Sequence, residues 1–307
     1  MRLHVVINPA AGSIQGDDSD EARIRAAFAD TDVRVDVEAI DPGEFRDALP
    51  RIWRDAPDLD AIVVAGGDGS VNAAANAAAG TDIVLSVLPL GTFNHFAQDL
   101  GLPNDLAGAA RALTDAELRT IDVGEVNGRV FVNNSVLGVY PTMVAERDRI
   151  VDDRGWGKIR AASVAVVHVA RNVPIHRFDL RGSGGFRRQK LRTPFVFVGN
   201  GTYDNAAGGL AQRDDLTDGT LGLAIARTVS VSGMVRTAVR ALLRGAVNTE
   251  DLDLVELSEL EVDGGTGRLR VAIDGEVDWF EVPLRYRVRD RDLNVLAPRT
   301  PPDPATT

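Results

Sequence analysis

Apolar and polar residues alternate in the first part of the chain in two different periods, one typical of strands and one typical of helices. Val33–Ile40 alternates every second residue and predicts a half-buried strand. Gly43–Arg54 places Phe45, Leu49, Ile52 and Trp53 on one helical face. The predicted strands are 2–8, 33–40, 60–66 and 82–91, and the predicted helices are 19–28, 43–54, 70–80, 94–100 and 106–113. Such alternation predicts an α/β domain with a parallel sheet that is covered on both faces.

The pattern changes after about Ile121, where β-rich runs follow one another with turns between them. These runs are 129–140, 187–201, 219–228, 269–277 and 279–288. They predict an antiparallel β-sandwich, interrupted by helical segments over 140–171 and 232–243. The predicted domains are therefore 1–122, completed by a returning strand over 290–298, and 123–289. The Pro- and Thr-rich tail 299–307 is expected to be disordered.

Composition and charge narrow the classes of function. The 307 residues include no cysteine, which excludes disulfides, thiolate metal sites and cysteine nucleophiles. The net charge of −11 argues against a nucleic-acid partner. No apolar stretch reaches about 18 residues and no signal-peptide pattern is present, so we expect a cytoplasmic protein without a transmembrane segment. Few exposed basic clusters are evident in the sequence.

A glycine-rich turn follows the third predicted strand. Gly66, Gly67 and Gly69 surround the single carboxylate of Asp68. Successive N–H groups without Cβ atoms, beside a helix N-terminus, attract phosphate. The alternative is a tight turn in which Asp68 is only the helix N-cap. The stretch is neither a P-loop nor a Gly-x-Gly-x-x-Gly motif. A carboxylate beside phosphates needs a cation, and Mg²⁺ is the usual one.

Two further polar turns are predicted at the same edge of the sheet. Gly91 and Thr92 follow the fourth strand, with Asn94 opening a helix, and Asn8, Pro9 and Gly12 follow the first strand. Since the carboxyl ends of parallel strands meet at one edge, the three turns together predict a nucleotide site.

These motifs carry a family resemblance. The stretches NPAAG, GGDGSVN and LPLGTFNHFAQDLGLP, in this order and spacing, resemble the diacylglycerol kinase catalytic domain, whose superfamily includes sphingosine and NAD kinases. Downstream, GGLAQRDDLTDGTLGLAIA and VAIDGEV also resemble stretches of that family. The chain departs from the usual motif in two places. Ser70 stands where Thr is more usual, and His95 stands where an acidic residue is common.

The resemblance implies an ATP-dependent, Mg²⁺-assisted kinase of diacylglycerol or a related lipid, acting at the membrane surface. The implied nucleotide-binding residues are Asn8, Pro9, Gly12, Gly66, Gly67, Asp68, Gly69, Ser70, Asn72, Gly91, Thr92 and Asn94. Asp274 would be the general base, with Glu276 beside it, and Asp68 would organise magnesium. The lipid would enter between the two domains. A structural Mg²⁺ is implied at Asp215, Asp218 and the carbonyl of Thr220.

Several alternatives stay open at this stage. Asp274 and Gly275 also fit an ordinary hairpin turn, and the Asp214–Asp218 loop also fits an acidic surface turn. His95 also fits the first turn of a solvated helix. The cation for the ATP phosphates is Arg23, Lys158 or Arg160. The apolar face of 156–173 fits a packed helix better than a lipid-pocket wall. Alternative functions are a kinase of a soluble acceptor such as NAD and a non-catalytic lipid or nucleotide sensor. Both a monomer and a homodimer are compatible with the sequence.

Overall fold

The chain divides into two compact units in a computed structural model. The structure describes residues 1–9, 19–91, 94–139, 141, 175–202, 215–226, 252–265 and 267–299. The first unit comprises residues 1–123 and 289–307, and the second comprises 124–288. The second unit is therefore one continuous segment inserted into the sequence of the first. The tail predicted to be disordered lies, apart from Arg299, outside the described residues.

The first unit is an α/β domain, as predicted. Its strands are β1 (Arg2–Ile7), β2 (Arg34–Ala39), β3 (Ala61–Gly66) and β4 (Val84–Pro89). Its helices are α1 (Asp20–Phe28), α2 (Phe45–Asp55), α3 (Asp68–Ala78), α4 (His95–Asp99) and α5 (Leu106–Leu113), with a 3-10 turn over Pro42–Glu44. The strand order is β2-β1-β3-β4, and all of these neighbours are parallel. Every residue of β3 and β4 is buried, as expected for strands covered on both faces.

Local sequence explains where these helices begin and end. The Ser19 side chain accepts the N–H of Ala22 at 3.2 Å and caps α1. Asp105 caps α5 in the same way, through the N–H of Gly108 at 2.7 Å. Gly80 follows the end of α3 with φ of +75°, a conformation that favours glycine. The predicted bounds of α5 are those observed.

The second unit is built from antiparallel strands, as predicted. They are β5 (Ala116–Val126, which begins in the first unit), β6 (Arg129–Phe131), β7 (Asn134–Gly138), β8 (His176–Gly182), β9 (Gln189–Thr193), β10 (Phe195–Asn200), β11 (Leu221–Ala226), β12 (Leu252–Leu257), β13 (Glu259–Asp263), β14 (Arg268–Ile273), β15 (Glu276–Glu281) and β16 (Leu284–Pro298). One sheet has the order β12-β11-β10-β7-β14-β15. The other contains β16-β13-β8-β9, and side chains from both sheets form one buried cluster. The end of β16 belongs to the first unit, where Asn294 and Val295 pair in parallel with β4.

Four runs that the sequence predicts as single strands are divided in the structure, and one of them, run 269–277, is divided by the turn at Asp274 and Gly275. Run 129–140 breaks at Val132 and Asn133, whose N–H groups bind a carboxylate instead of a neighbouring strand. Run 187–201 breaks at Pro194 and run 279–288 at Val282–Pro283, because proline has no N–H for a ladder. The helices predicted over 140–171 and 232–243 lie, apart from Pro141, outside the described residues. Within the described part of the chain, no helix is long and apolar enough to cross a membrane.

Candidate functional site

The structure brings together the turns that follow β1 and β3. The side-chain amide of Asn8 donates to Ser70 Oγ at 2.8 Å, and the Asn8 N–H donates to the Ala65 carbonyl at 3.3 Å. A Cβ on Gly66 would lie 2.8 Å from Ser70 Oγ, so only glycine fits there. Ser70 is buried within the first turn of α3. The β1 and β3 turns are therefore locked to each other through Ser70.

The turn after β4 packs against the same glycines. A Cβ on Gly91 would lie 2.6 Å from the Cα of Gly67, which is closer than real Cβ contacts allow. Asn94 holds this turn, since its Oδ1 accepts the Gly91 N–H at 2.9 Å and its Nδ2 donates to the Gly91 carbonyl at 3.0 Å. Asn94 itself has φ of +53°, which asparagine tolerates better than most residues. Three interlocked turns thus form the carboxyl edge of the sheet.

Asp68 lies between the β3 and β4 turns. The alternative in which Asp68 is the N-cap of α3 does not hold, because Gly67 occupies the cap position in an extended conformation and Asp68 is the first helical residue. The carboxylate instead reaches the other turn, where Oδ1 accepts the backbone N–H of His95 at 3.1 Å. Burial raises the pKa of Asp68, while the nearby His95 and backbone N–H groups oppose this rise. A cation bound here would favour the ionised form of Asp68.

Other predicted nucleotide residues surround these turns. Asn72 is buried in α3, where its carbonyl and side-chain oxygens accept from Asn76 at 2.9 Å and 3.1 Å. Pro9 and Gly69 flank the turns after β1 and β3. Gly12 and Thr92 lie outside the described residues. The structure therefore gathers Asn8, Gly66, Gly67, Asp68, Ser70, Gly91 and Asn94 into one cluster.

The structure describes His95 and one of the three candidate cations for the ATP phosphates, Arg23. His95 is half-buried at the start of α4, rather than on a fully solvated turn. Arg23 is engaged by Asp20 at 3.0 Å within its own helix. Lys158 and Arg160, together with the predicted apolar helix around them, lie outside the described residues.

The predicted base, Asp274, occupies a two-residue hairpin turn between β14 and β15. Asp274 and Gly275 have φ of +45° and +89°, so the hairpin alternative describes the backbone correctly. The carboxylate, however, turns inward, and Asp274 is only 6% exposed. It accepts three consecutive backbone N–H groups, from Val132, Asn133 and Asn134, each at 2.9 Å. Three such bonds stabilise the ionised carboxylate.

Glu276 has a different environment from Asp274. It begins β15 with its side chain largely exposed, and its carboxylate pairs with Arg129 at 3.2 Å. The same guanidinium holds Asp278 at 3.2 Å. Although Glu276 lies only two residues from Asp274, the Asp274 carboxylate is buried and the Glu276 carboxylate forms a solvent-exposed ion pair.

The predicted metal loop is held by threonine contacts. Asp215 Oδ1 accepts the N–H and hydroxyl of Thr217 at 2.8 Å and 2.7 Å. Asp218 accepts from the Thr220 N–H through Oδ1, and from the N–H and hydroxyl of Thr202 through Oδ2, all at 3.0 Å. The described residues contain no group of three or more His, Asp or Glu side chains arranged for a metal. Asp214 lies outside them.

A groove of about 750 Å³ lies elsewhere in the second unit. It lies along β13 and the start of β16, and Glu261, Arg285 and Arg287 are among its lining residues. None of the predicted site residues lines it, so we do not assign the acceptor lipid to this groove.

Comparison with known proteins supports the assignment that the motifs predict. Residues 2–126 match the model of the diacylglycerol kinase catalytic domain. A Pseudomonas aeruginosa protein named as a probable lipid kinase, YegS-like, is 30% identical over 296 residues, which are 95% of this chain and 90% of that protein. The chain belongs to the diacylglycerol kinase catalytic-domain family. Membership confirms the predicted resemblance and the class of enzyme, a kinase of the lipid kinase family.

Further relatives agree with this family. The diacylglycerol kinase of Bacillus subtilis is 26% identical over 249 residues, 79% of each chain. The solved structure of a Bacillus anthracis protein assigned to the diacylglycerol kinases matches with a TM-score of 0.73, covering 100% of this chain and 96% of that one. At 22% identity this match supports the fold alone, and it confirms an α/β unit followed by an antiparallel unit.

The sequence does not identify the groups that hold Asp274. Backbone N–H donors carry no side-chain signature, so no motif marks Val132, Asn133 and Asn134. The only signal is indirect, because the predicted strand 129–140 contains two consecutive asparagines, which are depleted in strands.

Proposed function

We propose that this protein is an ATP-dependent lipid kinase that phosphorylates the hydroxyl group of diacylglycerol or a related lipid. The observation that carries the proposal is the cluster of interlocked turns, in which Gly67 and Gly91 meet and the half-buried Asp68 carboxylate faces the second turn. Backbone without Cβ atoms allows phosphate to approach closely, and family membership makes the phosphate donor a nucleotide.

The proposed nucleotide-binding residues act by holding ATP in position. The bond of Asn8 to Ser70 joins the β1 and β3 turns, and the bond from the His95 N–H to Asp68 joins the β3 and β4 turns, so the three turns are held in one arrangement before ATP binds. Mg²⁺, when bound, would neutralise charge on the phosphate oxygens next to Asp68. Asp68 fits this cation because its ionised form is desolvated in the free protein. Phosphoryl transfer needs little beyond such positioning, charge neutralisation and a placed base.

Asp274 is the proposed general base. The acceptor hydroxyl oxygen attacks the γ-phosphorus, the bond from that phosphorus to the bridging oxygen of ADP breaks, and the hydroxyl proton passes to the Asp274 carboxylate. The three N–H bonds hold this carboxylate in one direction. That the lipid enters between the two units remains a prediction, as does a role of Glu276 near metal or base.

A lipid panel tests this function. Purified protein is incubated with γ-labelled ATP, Mg²⁺ and detergent-dispersed lipids that carry free hydroxyl groups, and products are identified by mass spectrometry. We expect a phosphorylated lipid in the organic phase. Label that partitions into water with NAD as acceptor would favour the soluble-acceptor alternative, and lipid binding without turnover would favour the sensor. Protein that binds ATP but labels no lipid in the panel would refute the proposal.

The proposed structural Mg²⁺ has its own test. Asp215 Oδ2 has no hydrogen bond within the described residues. The predicted carbonyl ligand of Thr220 accepts the Gly201 N–H at 2.9 Å, whereas the buried Thr220 hydroxyl oxygen lacks a partner among the described residues. Oxygen atoms of this kind suit Mg²⁺. Thermal unfolding should shift upward on adding Mg²⁺ to chelator-treated protein, and the shift should disappear in Asp215→Ala. An unchanged shift in that variant would contradict the ligand role of Asp215.

A further inference from the structure

The β8–β9 hairpin presents a basic face on a protein of net charge −11. Phe178, Leu180 and Leu191 point into the sandwich core. Because side chains alternate along strands, the residues between them point outward. Five exposed cations share this outward side, and we call them the basic face: Arg177, Arg181, Arg188, Lys190 and Arg192. The hairpin ends its sheet, since β9 is the last strand in the order.

Only part of this positive charge is balanced within the protein. Asp179, on the same side, is held by Arg188, with Nε to Oδ1 at 2.8 Å. Arg181 pairs with Glu261 of the neighbouring strand β13 at 3.1 Å. Asp263 of β13 also acts electrostatically on Arg188, so the acidic residues lie on the β13 side. The uncompensated charge is therefore concentrated at the end of the hairpin that carries Arg177 and Arg192.

Two arginines of the basic face oppose each other directly. Arg177 pairs with Arg192 across the two strands, and neither has an ion-pair partner within the described part of the chain. Like charges at directly opposite positions destabilise an antiparallel pair. Arg187 adds a further exposed cation in the connecting loop. An external anion would relieve the repulsion between Arg177 and Arg192.

We propose that the basic face docks this protein on an anionic phospholipid bilayer. Arg181 borders the groove along β13, whereas the other four cations of the basic face do not line it. Cations spread along one side of a two-stranded ribbon match an extended sheet of phosphate groups better than a single anion. Juxtaposed basic residues are attracted to anionic leaflets at short range, and the negative charge elsewhere on the protein would orient the hairpin toward the membrane. The inference rests on the proposed function in one respect, since a lipid acceptor resides in a membrane.

Vesicle binding tests the docking separately from catalysis. Protein without nucleotide is mixed with vesicles of equal parts phosphatidylglycerol and phosphatidylcholine, or of phosphatidylcholine alone, and the bound fraction is measured by sedimentation. The test variant is Arg177→Gln/Arg192→Gln. The matched control is Arg34→Gln/Arg46→Gln, which removes the same charge from exposed positions in the first unit. Arg177→Lys/Arg192→Lys keeps the charge.

We expect selective binding to anionic vesicles that weakens roughly 30-fold in the test variant, at about fivefold per charge removed. The control and the lysine variant should bind nearly as the unmodified protein does, and binding should fall when salt is raised from about 0.1 M to about 1 M. Three results would each overturn the proposal. They are equal binding to both vesicle types, an equal loss of binding in the test and control variants, and tighter binding to a short duplex DNA than to anionic vesicles.

A second assay separates failure of docking from failure of the proposed function. In micelles of a non-ionic detergent the test variant should phosphorylate lipid as fast as the unmodified protein, because no anionic surface is present. On anionic vesicles it should be slower. An equal loss of rate in micelles would show that the arginines act in turnover rather than in docking, whereas vesicle binding itself requires no kinase activity.

Discussion

Asp274→Asn is the substitution whose effect on stability follows most directly from the structure. The carboxylate uses both oxygens, with Oδ2 accepting from Val132 and Oδ1 accepting from Asn133 and Asn134. Asparagine has only one oxygen. If that oxygen keeps the two bonds at Oδ1, the new amide NH₂ faces the N–H of Val132, and two donors oppose each other in a buried place.

The cost can be worked from these bonds. One buried N–H left without an acceptor costs about 1–3 kcal/mol, and the two remaining bonds lose roughly 1 kcal/mol each when the acceptor is no longer charged. A neutral amide is cheaper to bury than a carboxylate, which offsets part of the loss. We therefore expect the free energy of unfolding to fall by about 2–4 kcal/mol.

Urea unfolding followed by circular dichroism measures this free energy. Asp278→Asn is the matched control, since it makes the same change on an exposed residue that contributes one surface ion pair to Arg129, and it should cost less than about 0.5 kcal/mol. Asp274→Asn should also abolish lipid phosphorylation while nucleotide affinity is retained, because the nucleotide turns lie in the other unit. A variant as stable as the control would refute the anchoring role of the three N–H bonds, and retained turnover would refute the base.

Three other predictions concern the nucleotide turns. Gly91→Ala should unfold at a lower temperature than Gly67→Ala, because the new Cβ would lie 2.6 Å from backbone in the first variant and 3.5 Å from backbone in the second. Gly67→Ala should instead weaken ATP binding. Equal melting temperatures of the two variants would contradict the difference in packing. Because burial raises the pKa of Asp68, its ionisation opposes folding most strongly above the folded-state pKa. Asp68→Asn should therefore be at least as stable as the unmodified protein at pH 7, and this advantage should shrink as the pH falls below the folded-state pKa and vanish below the unfolded-state pKa. A loss of stability at pH 7 would show that the bond to His95 outweighs desolvation. A double-mutant cycle of Asn8→Ala and Ser70→Ala should give a coupling energy of about 1 kcal/mol, and additive effects would show that their 2.8 Å bond does not contribute.

The sequence predicts the parallel unit well because its signals are local. The bounds of α5 follow from the Asp105 cap and a helical apolar period, and the α1 cap follows from Ser19. The meeting of three turns follows from a general property of parallel sheets. What pattern alone cannot supply is which glycine touches which, because the contact between Gly67 and Gly91 depends on the tertiary positions of two different turns.

Predictions for the antiparallel unit fail where long-range contacts compete with local pattern. Val132 and Asn133 continue a β-rich run, yet their N–H groups bind Asp274, far away in the sequence. The basic face was not expected for a different reason, because β8, which carries Arg177 and Arg181, is not among the predicted strands. Without that strand, the register that places Arg177 opposite Arg192 could not be inferred.

The anchoring of Asp274 has a consequence for how the protein is made. The carboxylate and its N–H donors are separated by 140 to 142 residues, so the proposed base cannot reach its place until β7 and β14 have paired. Contacts of such sequence separation form late and slowly. During synthesis, the turns of the first unit that precede residue 100 leave the ribosome long before Asp274 does. A nascent chain therefore carries the nucleotide turns before it carries the proposed base, but β4 gains its pairing with Asn294 and Val295 only after Asp274 has been made.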